Sequence, residues 1–166
     1  MATFWLICGM SGAGKTTYAH RHFGPPLNNI ELIDVDEYYK KINGDECDRS
    51  NSYKVWMAVY DKIHQCELEN RDVALVTNAL TVANREEFIE WFPSFKHKML
   101  WFMADLQDCK EYNFKRRRVV PEHLMNKLWN QMEIPNPAEK GWDSIMLVIN
   151  KFNNDCFTTL FLKKED

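Results

Sequence analysis

No Cys-x-x-Cys pair occurs in these 166 residues, and the five cysteines (Cys8, Cys47, Cys66, Cys109, Cys156) are scattered and odd in number. That excludes a zinc ribbon, argues against a disulfide framework and points to a reducing compartment. No apolar run approaches the roughly 20 residues that span a bilayer, and no basic region precedes the first apolar segment. A cytoplasmic protein without a membrane partner is expected, in the host cytoplasm if the source is viral. The five histidines lack the spacing of a metal site. Charge of one sign is also missing: 21 Lys and Arg against 24 Asp and Glu leave a formal net charge of −3. That balance does not advertise a general nucleic-acid binder, so any basic surface must be local. Repeats, low-complexity tracts and linkers are absent. The length suits one α/β domain over residues 1–166, burying roughly 70% of its unfolded surface.

What is present is organised around Gly9-Met10-Ser11-Gly12-Ala13-Gly14-Lys15-Thr16, which fits G-x-x-x-x-G-K-[ST] without a mismatch. Thr3–Cys8 before it is a short apolar run rich in aromatic and β-branched residues, read as a buried strand. Lys15–His22 after it has no breaker before Gly24-Pro25-Pro26 and reads as a helix of about two turns. In that context the backbone of Gly9, Ser11, Gly12, Ala13 and Gly14, with Lys15, Thr16 and Thr17, forms a seat for phosphates. Glycines let successive N–H groups turn inward, and the helix adds its positive N-terminal end. Lys15 neutralises charge at the β- and γ-phosphates, and the Thr16 hydroxyl holds Mg²⁺. ATP and Mg²⁺ are the expected cofactors.

The rest of the chain alternates strands and helices. Asn29–Asp34 reads as a second strand, and the acidic cluster Asp34-Val35-Asp36-Glu37 opens a short helical turn. Ile42–Ser50 is a polar loop. Tyr53, Trp56, Tyr60, Ile63 and Glu67 recur at helical spacing from Asn51 to Glu69, with their aromatics read as core packing. Val73–Asn78 is a third strand, apolar as a central parallel strand should be. Ala83–Phe92 is a helix stopped by Pro93, and His97–Met103 a fourth strand. Asp105 caps a helix to about Asn113, and Pro121 opens another through Met132 at a first helical position. Ser144–Ile149 is a fifth strand, with Cys156–Leu162 pairing back on it through Asn153-Asn154-Asp155. The order predicts a doubly wound, mostly parallel sheet with ligands at the strands' C-terminal ends.

Asp36 lies just past the second strand, where it can accept a proton from an attacking hydroxyl or bind Mg²⁺ through water. The plainer alternative is a helix-capping acid; Asp34 and Glu37 are weaker candidates. The basic stretch Lys115-Arg116-Arg117-Arg118 reads as a lid over about residues 113–121 that brings guanidinium groups to a transferring phosphoryl group, or else as a solvated face. A motor or AAA-type ATPase would end the third strand in Asp or Asp-Glu, and Val73–Asn78 has neither. A GTPase would carry Asn-Lys-x-Asp, and Asn150-Lys151-Phe152-Asn153 lacks its carboxylate. Both classes rank lower.

The order of these motifs resembles the polynucleotide-kinase-like branch of P-loop kinases, which includes the phage 5′-hydroxyl polynucleotide kinase and its eukaryotic DNA-repair relatives. The likeness runs over roughly residues 1–149, through Gly9–Ala19, Ile33–Tyr38, Asn113-Phe114-Lys115-Arg116 and Glu133–Asp143. It implies strand order 2-3-1-4-5, Asp36 as general base, Arg116 as the phosphoryl-contacting arginine that also helps bind the nucleotide, and a closing loop at 133–143 near the adenine. Two positions depart from the family. Tyr39 stands where the 5′-hydroxyl kinase has an arginine for the acceptor phosphate, and Thr77-Asn78-Ala79 replaces Asp-Thr-Asn. Tyr39 cannot neutralise a phosphate but can stack on a base, and the loop 42–50, with Arg49 against three acids, offers no compensating positive patch.

The expected protein is a kinase with Lys15, Asp36 and Arg116 as catalytic residues, Thr16 as metal ligand, and Asp36 with Tyr39 at the acceptor. The expected acceptor is a hydroxyl on a nucleic acid, DNA above RNA: a 5′ end or a hydroxymethylated pyrimidine. A nucleoside or other small-molecule kinase is the alternative, and a regulatory ATP-binding module the alternative of another class. Oligomeric state is not legible.

Overall fold

The computed structural model describes residues 1–24, 30–151 and 156–164. Six strands, Thr3–Gly9 (β1), Glu31–Asp34 (β2), Val73–Val76 (β3), Lys96–Met103 (β4), Ser144–Lys151 (β5) and Cys156–Lys163 (β6), form one sheet in the order β2-β3-β1-β4-β5-β6. The first five are parallel, and β6 turns back antiparallel on β5. This is the doubly wound α/β P-loop fold, with the expected order 2-3-1-4-5 continued by one strand. The expected start of β2 at Asn29, the Pro25-Pro26 breaker and the turn Asn153-Asn154-Asp155 lie outside the described residues.

β1 and β3 are central because both faces of each are apolar: Phe4, Leu6, Ile7, Val73, Ala74 and Leu75 are fully buried. Six helices connect the strands: Lys15–Phe23 (α1), Val35–Asn43 (α2), Ser52–Leu68 (α3), Val82–Trp91 (α4), Leu106–Phe114 (α5) and Glu122–Gln131 (α6). The acidic turn after β2 is longer than expected, since α2 takes up Ile42 and Asn43 before Gly44 ends it in the left-handed conformation. Asp105 and Pro121 stand at cap positions of α5 and α6, but no side-chain capping bond forms at either. Among the described residues, no helix is long and apolar enough to cross a membrane.

The loop at 133–143 is bound to α4. Arg85 on α4, fully buried, makes a two-bonded ion pair with Glu139 at 2.6 and 3.0 Å. It also donates to the carbonyls of Leu80 and Glu133, and Glu133 accepts the Val82 N–H at the start of α4. The loop is therefore fixed on α4 and contributes no residue to the cavity described next.

Candidate active site

A cavity of about 710 Å³ opens at the C-terminal ends of β1, β2 and β3. One end is the loop between β1 and α1. Gly14 precedes α1 at φ 95°, and Gly12 sits at φ 85°, backbone that L side chains rarely adopt. A Cβ at Gly12 would strike the Cys109 backbone carbonyl, so that position needs glycine for close approach as well, whereas one at Gly14 would meet the movable end of the Asn150 side chain. Ser11, Gly12, Gly14, Lys15, Thr16 and Thr17 line the cavity. Gly9 and Ala13 stand behind it, where the Ala13 carbonyl accepts from the Asn150 side chain at 3.1 Å.

Lys15 is folded into this loop. Its ammonium donates to the carbonyls of Gly9 and Met10, each at 2.8 Å, and to the Asn78 side-chain oxygen at 3.3 Å. Burial, reinforced by the nearby Arg116 charge, lowers its pKa to about 8. The Thr16 hydroxyl donates to the Asp34 carboxylate at 2.9 Å, and the other Asp34 oxygen caps α2 by accepting the Asp36 N–H. Burial pushes the Asp34 carboxyl up despite those two bonds. Asp34, ranked low from sequence, is thus the helix cap, which leaves Asp36 free of that duty. A threonine hydroxyl paired with a carboxylate is the hard-oxygen set that Mg²⁺ takes beside phosphates, so the residues fit the expected ion.

Asp36 marks the other half of the cavity, and three arginines converge on it. Arg49 donates to one carboxylate oxygen at 2.9 Å, Arg118 pairs with the same oxygen, and Arg116 lies 3.8 Å from the other. Burial alone would raise this carboxyl; Arg49 and Arg118 outweigh it and hold it below the usual carboxylate range. Arg116 and Arg118 come from the link between α5 and α6. Asn113, buried at the end of α5, closes that link by donating to the Val120 carbonyl at 2.8 Å and accepting its N–H at 3.0 Å. The basic stretch divides accordingly: Arg116 and Arg118 face the cavity, and Lys115 and Arg117 face solvent.

Two expectations for the acceptor side are corrected. Tyr39 is only 4% exposed, its hydroxyl donates to Ser52, and the Arg49 guanidinium lies 3.6 Å from its ring centre. The ring is an arginine platform with no face left for a base. The loop after α2 does deliver a cation, because Ser52 donates to the Arg49 carbonyl and turns that residue back over α2. The charge tally along the loop hid this, since it is one residue's direction that matters. The aromatics of α3 also divide: Tyr53 is 78% exposed, whereas Trp56 and Tyr60 line the same cavity as Asp36.

A family model described as an AAA domain matches residues 4–134. The chain belongs to that family. β3 nevertheless leads into Thr77-Asn78, without the acidic residue of a motor or AAA-type ATPase; Asn78 there holds the P-loop lysine instead. Among solved structures, a sugar kinase from Janibacter sp. HTCC2649 is similar at 17% identity and TM-score 0.66, over 90% of this chain and 86% of that one. Kti12 of Chaetomium thermophilum in complex with ADP-AlF3 is similar at 13% identity and TM-score 0.64, over 89% of each. The Pnkp1/Rnl/Hen1 RNA repair complex contains a chain similar at 12% identity and TM-score 0.70, over 78% of this chain and 43% of that one. At these identities the likeness is one of fold. No curated protein matches the chain.

Proposed function

We propose that this protein is an ATP- and Mg²⁺-dependent kinase that phosphorylates a hydroxyl on a nucleic acid, either a 5′-hydroxyl end or the 5-hydroxymethyl group of a modified pyrimidine. The observation that carries the reading is the set of three guanidinium groups on Asp36, in the same cavity as Lys15. A transferring phosphoryl group is met by the P-loop lysine, the metal and an arginine. An arginine beyond that set suits a second phosphate beside the attacking hydroxyl, which a polynucleotide carries and a neutral nucleoside lacks.

The residues then divide the work. The P-loop backbone holds the ATP phosphates, and Lys15 exchanges the Gly9 and Met10 carbonyls for phosphate oxygens. Arg116 turns from Asp36 to the γ-phosphoryl oxygens, where charge builds as the bond to the β,γ-bridging oxygen breaks. Asp36, once Arg49 and Arg118, the cations that hold its carboxyl low, also turn to phosphate oxygens, takes the proton of the acceptor hydroxyl as its oxygen bonds to phosphorus, and ADP departs. Thr16 and Asp34 would hold Mg²⁺, which would supply neutralising charge at the phosphates.

A small-molecule acceptor is the second reading, favoured by the partly enclosed wall of Trp56 and Tyr60. Transfer from γ-labelled ATP to DNA, RNA, nucleosides and sugars separates the two. Label entering DNA or RNA faster than any small molecule supports the proposal, and label entering only sugars or nucleosides overturns the polymer acceptor. ATP turnover accelerated by none of these, and only by a protein partner, would mark a regulatory module.

A further inference from the structure

Beyond Asp36 the cavity is walled by Trp56 and Tyr60 of α3 and by Asn84, Glu87 and Phe88 of α4. Trp56 is half-buried and rigidly backed: its ring centre lies 5.6 Å from that of Tyr60 and 6.3 Å from that of Phe88. Tyr60 is packed in turn against Trp91 and Phe92. Asn84 and Glu87 stand one helical turn apart at the exposed rim, and among the described residues neither side chain is hydrogen-bonded. Arg49 closes the side nearest Asp36.

We infer that this chamber seats one unstacked nucleobase of the acceptor, with Trp56 as its stacking platform and Asn84 and Glu87 reading its edge. The inference rests on the proposed phosphotransfer, which makes Asp36 the residue the acceptor must face. A fixed aromatic face binds any planar heterocycle. A carboxylate only accepts, and an amide both donates and accepts, so the two together match a base edge that alternates donors and acceptors. A polyol needs a polar partner at nearly every hydroxyl, whereas the floor here is three aromatic rings. A base can enter only out of its stack, which favours a single strand, an end or an extruded nucleotide. Tyr39, the aromatic that sequence singles out, plays no part in this seat because Arg49 covers it.

The test measures binding to the ADP-loaded protein by calorimetry, with thymidine 3′-monophosphate, deoxycytidine 3′-monophosphate and D-gluconate as probes. At least one nucleotide should bind, and Trp56→Ala should weaken it roughly 5- to 150-fold, the range for loss of one base–aromatic stack. Trp56→Phe should restore most of the affinity, with ADP affinity and melting temperature held. Asn84→Ala and Glu87→Gln lie at exposed positions and serve if Trp56→Ala does not fold. Each should weaken a nucleotide or change which one is preferred. Nucleotide affinity indifferent to all of these replacements overturns the seat, as does binding of gluconate alone. Nucleotide binding that depends on Trp56, without phosphotransfer to any acceptor, supports the seat and overturns only the kinase reading.

Discussion

The guanidinium of Arg49 lies 3.6 Å from the ring centre of Tyr39 and reaches Asp36 at 2.9 Å. A cation therefore occupies the space beside the proposed base although no arginine stands three residues after it. It arrives from thirteen residues downstream, on a turn pinned by Ser52. If it holds an acceptor phosphate, Arg49→Ala raises KM for phosphate-bearing acceptors by about 10- to 100-fold, the scale of one lost charged hydrogen bond. KM for ATP stays as it is. Tyr39→Phe, which keeps the platform, has a much smaller effect. Steady-state kinetics with a 5′-hydroxyl oligonucleotide and with its terminal nucleoside check both, and an equal KM change for the nucleoside would sink the phosphate role.

Asp36 and Asp34 divide two duties that sequence left open between them. Asp36→Asn keeps the shape and loses basicity, so kcat should fall by about 10²- to 10⁴-fold, with ADP affinity and Mg²⁺ dependence unchanged. Asp34→Asn should instead raise the Mg²⁺ concentration needed for half-maximal rate, because its carboxylate orients the Thr16 hydroxyl. Magnesium titrations of both variants decide it. A Mg²⁺ shift in Asp36→Asn with kcat preserved would make Asp36 a metal-shell residue.

The sheet and the nucleotide end were legible because they rest on local signals. Apolar runs gave β1 and β3, and the glycine spacing gave Gly12 and Gly14 their positions. The acceptor end was legible only in part, because it is assembled by directions that no local pattern carries. Trp56 and Tyr60 sit at the same helical spacing as the core residues Val59 and Ile63, and spacing cannot tell a cavity wall from a core stripe. Arg85 reads as one more charged residue on a surface helix, yet it is wholly buried because Glu139 comes back from 54 residues on. Asn113 gives no sign that both ends of its amide will clamp Val120.

That buried pair has its own consequence. Glu139→Ala leaves the Arg85 guanidinium uncompensated in the interior, which costs about 3–5 kcal/mol for a pair of this kind. It also loosens the loop that caps α4 through Glu133. Replacing Arg85 and Glu139 together with Leu and Met should cost distinctly less than Glu139→Ala alone, since no charge is then stranded. Urea denaturation of the variants measures this. A loss below about 1 kcal/mol for Glu139→Ala would show that the pair is not held dry.

Lys15 supplies the last prediction, because its lowered pKa acts on binding and on stability in opposite directions. In the free protein its ammonium titrates near 8, driven by burial and then by Arg116. Polyphosphate binds only the charged form, so ATP affinity should be flat below pH 8 and fall above it, by up to tenfold per pH unit. Stability runs the other way. The unfolded lysine keeps its proton to about 10.4, so between roughly pH 8 and 10.4 the unfolded state holds more protons than the folded one. Over that window this group makes the free protein more stable as pH rises, relieving a penalty that is fully present below pH 8. Lys15→Met should abolish both slopes and remove phosphotransfer while keeping the fold by circular dichroism. Calorimetric ATP affinities and urea melts from pH 6.5 to 9.5, wild type against Lys15→Met, isolate the residue from other titrating groups. Parallel curves for the two proteins would show that Lys15 holds its proton throughout and that the P-loop lysine is not the alkaline limit on binding.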